Sequence, residues 1–88
     1  MRDAIFSSGF REDLTFFVRT DRKLAQRLLR LVEEILRDPF RGIGKPEPLK
    51  HIGSDVWSRR LTQADRIVYR VTDRGVYFLQ ARYHYGER

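Results

Sequence analysis

The chain has 88 residues, so a single domain covering 1–88 is expected, and its 41% hydrophobic and 12% aromatic content suffices for one small core. With no cysteine, a disulfide framework and a thiolate metal site are excluded. A formal charge of +6, with 15 of 18 cations being Arg, disfavours cationic partners and favours polyanions, whose phosphates suit the planar guanidinium fork.

That charge is uneven. Residues 1–40 carry 8 Lys/Arg against 7 Asp/Glu, whereas residues 41–88 carry 10 against 5. A basic second half attracts polyanions, nucleic acid above all, although a soluble protein from an Arg-rich proteome would have the same composition. No apolar run approaches the roughly 18 residues that span a bilayer. The segment Met1–Ser8 is too short and too polar for a signal peptide, so a cytoplasmic protein with no membrane association is expected.

Ala4-Ile5-Phe6 reads as a short strand, followed by Ser7 or Ser8 as a helix cap. Phe10, Leu14, Phe17 and Val18 then fall on one helical face. Thr20-Asp21 offers a second cap, and Leu24, Leu28, Leu31, Val32 and Ile35 continue at helical spacing to about Arg37. Asp38-Pro39 stops that helix, because the residue before proline is pushed out of the α region. Two helices joined so closely form a hairpin.

Residues 38–53 hold all three prolines and read as a loop. Beyond it the period changes to two, with strands predicted over Trp57–Thr62, Arg66–Thr72 and Val76–Arg82. Gln63-Ala64-Asp65 and Asp73-Arg74-Gly75 join them, Gly75 supplying a positive φ, and connections this short force antiparallel pairing. Alternation turns Trp57, Leu61, Ile67, Tyr69, Val71, Tyr77, Leu79 and Ala81 toward the helices. Ser58, Arg60, Thr62, Arg66, Val68, Arg70, Gln80, Arg82 and His84 are turned away. Arg59 on the apolar face, and Val76 and Phe78 on the polar one, break the pattern. The fold class is therefore α+β, a helical hairpin on one face of a mostly antiparallel sheet.

His51 and His84 have no second ligand at helical or hairpin spacing, no Gly-rich phosphate loop precedes a helix, and no nucleophile–base–orienter set stands out. No metal or cofactor is called for. What remains is a carboxylate, an imidazole and several guanidiniums, which suit cleavage of RNA through its own 2′-hydroxyl: a base, an acid and cations around a phosphate are all that reaction needs. Glu47 between Pro46 and Pro48 is the candidate base, although alone it reads as a solvated loop Glu. His84 is the candidate acid, titrating near neutral pH, or else a surface His beside tyrosines. Arg60 and Arg66 sit on the open face, where a row of arginines usually means solvation. Tyr85 could stack on a base or simply pack at an edge.

Asp38-Pro39-Phe40, the run from Gly42 to His51 (GIGKPEPLKH), Trp57-Ser58-Arg59-Arg60, Arg66-Ile67-Val68-Tyr69 and Ala81-Arg82-Tyr83-His84-Tyr85 together resemble the Txe/YoeB toxin family of the RelE superfamily. The resemblance runs nearly end to end. It implies a RelE-like microbial ribonuclease fold and an endoribonuclease that cuts messenger RNA in the A site of the 70S ribosome. It further implies neutralisation by a cognate antitoxin, which the +6 charge predicts to be acidic. The oligomeric state stays open, a homodimer being one option. Matched by motif, the resemblance makes Glu47 the base, His84 the acid, Arg66 the transition-state stabiliser and Tyr85 an assistant at the substrate. Lys45, Lys50, His51, Arg60 and Arg82 go to the RNA- and ribosome-facing surface. Family members typically end near the final tyrosine, whereas this sequence continues with Gly86-Glu87-Arg88, and the turn Gln63-Ala64-Asp65 carries one acid where the family often has more. Two rivals are a noncatalytic toxin of the same superfamily that inhibits gyrase, and a nucleic-acid-binding module using its arginine face alone.

Overall fold

The computed structural model describes residues 2–82. Its elements run β1 (Asp3–Phe6), α1 (Ser8–Thr20), α2 (Arg22–Arg37), β2 (Glu47–Pro48), β3 (Val56–Arg60), β4 (Arg66–Val71) and β5 (Gly75–Gln80). The sheet order is β1-β5-β4-β3-β2. All neighbours are antiparallel except β1, which lies parallel to β5 with Asp3 opposite Gly75 and Phe6 opposite Phe78. The α+β class with a helical hairpin on one sheet face is the observed architecture.

The helices start and stop where local chemistry dictates. Ser7 caps α1 by accepting from the Phe10 amide at 3.1 Å. Asp21 closes α1 by donating its amide to the Phe17 carbonyl, and opens α2 by accepting from the Leu24 amide at 3.1 Å. One residue thus ends one helix and begins the next, which is why the hairpin is so tight. Leu28, Leu31, Val32 and Ile35 of α2 then pack with Phe10 and Phe17 against Ile67, Tyr69, Val76 and Phe78 of the sheet and against Leu61 just beyond β3.

Ser7 has a second duty. Its hydroxyl donates to the Leu79 carbonyl at 3.0 Å, and its amide donates to that of Phe78 at 3.0 Å, so the cap ties α1 to β5. Ser7→Ala is expected to lower stability by about 1–2 kcal/mol, the upper part of the range for a lost cap. Urea unfolding checks this, and an unchanged midpoint would show that the hydroxyl contributes nothing.

Four expectations are corrected. On β5, Val76 and Phe78 face the helices, fully buried, while Tyr77 is 39% exposed and Leu79 joins Leu49, Val56 and Val68 on the opposite face. The alternation slips because the β4–β5 register shifts at Val68/Tyr69, and because a second small cluster lies on the face expected to be bare. Val18 is 48% exposed. It sits roughly 80° around the helix from Phe10, and the buried stripe leans the other way, toward Asp13. Gly75 has no positive φ; it is required because β1 passes so close that a Cβ would come within 2.5 Å of the Asp3 carbonyl oxygen. Finally, the 38–53 segment is not all loop, since Glu47-Pro48 pairs with β3.

Candidate active site

Glu47 stands opposite Ser58 in the β2–β3 pairing, on the sheet face away from the helices. Antiparallel register places Ser58 opposite Val68, and Arg60 opposite Arg66, on that same face. Three strands therefore converge there. The Arg66 guanidinium spans them: its Nη1 donates to the buried Ser58 hydroxyl at 3.2 Å and lies 3.1 Å from Glu47 Oε1. The Arg66 side chain is 13% exposed and that of Glu47 53%, so the cation is embedded and the carboxylate reaches into solvent. An ion pair with one partner this open is worth no more than about 1 kcal/mol to stability. It sets an exposed carboxylate and an embedded cation side by side.

The segment carrying Glu47 is held at both ends. Downstream, Leu49 is 2% exposed, seated with Val56, Val68 and Leu79, and its amide donates to the Val56 carbonyl at 2.8 Å. Upstream, the Gly44 carbonyl accepts from the Arg60 amide at 2.6 Å. Gly44 has φ +86°, and a Cβ there would meet the Arg60 carbonyl oxygen at 2.9 Å. Lys45 follows with φ +50°, a conformation rare outside glycine.

Arg59, left without a role by alternation, explains the loop. It is fully buried, and its guanidinium donates to the carbonyls of Asp38, Arg41 (2.7 Å) and Ile43 (3.2 Å) and, through Nε, to the Tyr69 hydroxyl (3.3 Å). The Tyr69 hydroxyl in turn donates to the Pro39 carbonyl at 2.6 Å. Burial pushes that hydroxyl above the ordinary phenol range while Arg59 pulls it back, so it serves as a neutral donor. Gly42, at φ +128°, leaves room for Arg59, since a Cβ would lie 2.8 Å from Nη1. A cation that would be costly to bury alone is satisfied here by oxygens that would otherwise lack donors.

The other sequence-predicted residues distribute as follows. Arg60 is exposed at the end of β3 beside Arg66, with Lys45 next to its Gly44 partner, so these cations flank Glu47 and Arg66. Lys50 and His51 are exposed in the turn after Leu49, at the opposite end of β2 from Lys45. Arg82 does not face away from the helices as alternation predicted. The strand ends at Gln80, and the Arg82 guanidinium lies over the Phe16 ring of α1, 3.4 Å from its centroid. His84 and Tyr85 lie outside the described residues.

One residue escaped sequence reasoning. Asp13 of α1 is 2% exposed and its carboxylate accepts from the amides of Ala81 and Arg82. The signal was an acid between Phe10 and Phe17 on the stripe that faces the core.

Among the described residues, no three His, Cys, Asp or Glu side chains gather as a metal-binding group. No described helix is long and apolar enough to cross a membrane.

Residues 6–85 match the model of the YoeB-like toxins of bacterial type II toxin–antitoxin systems. Toxin RelK of Mycobacterium tuberculosis is 52% identical over 85 residues, covering 97% of this chain and all of that one. Among solved structures, the YoeB dimer from Staphylococcus aureus superposes with a TM-score of 0.87 at 34% identity, covering 96% of this chain and 98% of that one. The toxin of a YoeB–YefM complex from Staphylococcus aureus does so at 0.82 and 32%, covering 97% and 99%.

Proposed function

The chain belongs to the YoeB-like toxins of bacterial type II toxin–antitoxin systems, and on that footing we propose that it is a metal-independent endoribonuclease that cuts messenger RNA in the ribosomal A site and so arrests translation. The observation that carries this reading is the contact between Glu47 and Arg66, two side chains from different strands brought to 3.1 Å on the open face.

In the proposed reaction Glu47 takes the proton of the 2′-hydroxyl, and that oxygen attacks the adjacent phosphorus. The bond from phosphorus to the 5′-oxygen breaks, and His84 gives that oxygen its proton. Arg66 balances the charge that builds on the phosphoryl oxygens; it is already aimed by Ser58 and needs little reorganisation. Tyr85 assists at the substrate, while Lys45, Lys50, His51, Arg60 and Arg82 hold RNA and ribosome. The products are a 2′,3′-cyclic phosphate and a 5′-hydroxyl. The whole chain acts as one domain in the cytoplasm, as a monomer or, like the Staphylococcus aureus relative, as a dimer. A cognate antitoxin with an acidic, amphipathic segment covers the arginine face, in keeping with the YoeB–YefM assembly of that relative.

The test is a short messenger RNA on the ribosome carrying a single 2′-deoxynucleotide at the cleaved position. The modified RNA should stay intact while the unmodified one yields a cyclic phosphate end. Cleavage of the deoxy substrate, or a 5′-phosphate product, overturns the mechanism; a noncatalytic binder leaves both RNAs whole.

A further inference from the structure

The last cross-strand pair of β5 is Gln80 with Val68, so the ladder stops there. The next two amides are nonetheless held. A single oxygen of Asp13, Oδ2, accepts from Ala81 at 2.8 Å and from Arg82 at 3.2 Å. Asp13 lies on the core side of α1 and is 2% exposed, and hydrogen bonds to a carboxylate are stronger than neutral ones. One turn further along α1, Phe16 receives the Arg82 guanidinium. So α1, and not the sheet ladder, holds the backbone at residues 81 and 82. In sequence His84 is two residues beyond Arg82, and Tyr85 three.

We propose that Asp13 is a positioning residue for the reaction: by fixing the backbone at residues 81 and 82 it sets the delivery of the segment that carries the general acid. The inference rests on the proposed function above, and it gives α1 a part in the chemistry beyond covering the core. A carboxylate that merely stapled α1 to the sheet would affect stability and every step of the reaction alike; one that aims the acid affects only the step that consumes the acid's proton.

The experiment exploits that difference. Ribosome-bound messenger RNA is prepared with either oxygen or sulfur at the 5′ leaving position. A thiolate departs without a proton, so the sulfur substrate does not need the acid. Single-turnover rates at saturating enzyme are compared for the wild type, His84→Gln, Asp13→Leu and Asp13→Asn, below the melting temperature of each. His84→Gln should be slowed at least about 10²-fold on the oxygen substrate and recover most of that on sulfur. Asp13→Leu, with no acceptor, should lose about 10- to 100-fold on oxygen, the scale of a misplaced catalytic group, and likewise recover on sulfur. In Asp13→Asn the amide oxygen can take the place of Oδ2, and this variant should stay within about fivefold of wild type, because the acceptor and not the charge sets the position. Should Asp13→Leu fail to fold, Asp13→Ser is read the same way. Equal losses for the position-13 variants on both substrates, or no loss, would overturn the proposal even while His84→Gln behaves as expected. If His84→Gln itself is fast on both substrates, it is the acid assignment that fails.

Discussion

Replacing Glu47 with Gln should slow cleavage of ribosome-bound messenger RNA by about 10²- to 10⁴-fold, the usual worth of a general base. Gln keeps the length and one oxygen for Arg66, so substrate binding and fold should change little. The 3.1 Å contact with Arg66 is half open to water, and its loss should lower stability by less than about 1 kcal/mol. The variant is thus a clean separation of chemistry from folding. Wild-type rates plotted against pH should form a bell, and Glu47→Gln should lack the acidic limb. A variant as fast as wild type, or a bell that keeps its acidic limb, would remove Glu47 from the role of base and leave Arg66 as a phosphate-binding cation alone.

Arg59→Met should lower stability by about 3 kcal/mol or more, because it strips the donor from several buried acceptors at once. Methionine can fill the space of the aliphatic stem, but it leaves the carbonyls of Asp38, Arg41 and Ile43 and the Tyr69 hydroxyl without their donor. Each buried group deprived of its partner costs about 1–3 kcal/mol, and some of that will be recovered as the loop opens to water. A domain of this length is stable by only roughly 5–13 kcal/mol, so the loss is a sizeable share. Arg59→Lys should lie between, since an ammonium has three donors but not the planar fork that reaches three carbonyls at once. Urea unfolding followed by tryptophan fluorescence measures this directly, because Trp57 packs 5.1 Å from Phe40 at the rim of the same loop. Equal midpoints for wild type and Arg59→Met would mean that the loop is held by something else.

Both helices were legible because their apolar residues recur at helical spacing between side chains that cap them, Ser7 and Asp21. Strands β3 and β4 were legible for the same kind of reason: Trp57, Ile67 and Tyr69 alternate with Ser58, Arg66 and Val68. Strand β5 misled because Val76, Tyr77, Phe78 and Leu79 are all apolar, and a strand covered on both faces gives no contrast for alternation to read. That second covering, Leu49 with Val56 and Val68, comes from the loop and could not be foreseen without knowing where Leu49 lands. In the site, Glu47 and Arg66 were named individually, and the resemblance assigned their roles, but their contact depends on a two-residue strand that no periodicity can reveal. Arg59 stood out as a charge on an apolar face, whereas Asp13 went unnoticed between Phe10 and Phe17. Their partners are backbone groups, which carry no signature in the identity of the residues that supply them.

Strand β2 bounds one side of the sheet formed by the described residues. The Leu49 amide turns inward to the Val56 carbonyl, and amides alternate in direction along a strand, so the nitrogen at position 48 faces outward. That nitrogen belongs to proline, as does the one two positions earlier. Neither has a hydrogen to give. A foreign polypeptide that tried to lengthen the sheet from this border would find no donors at those places, and fibrous self-association is thereby discouraged on the very margin where Glu47 is exposed.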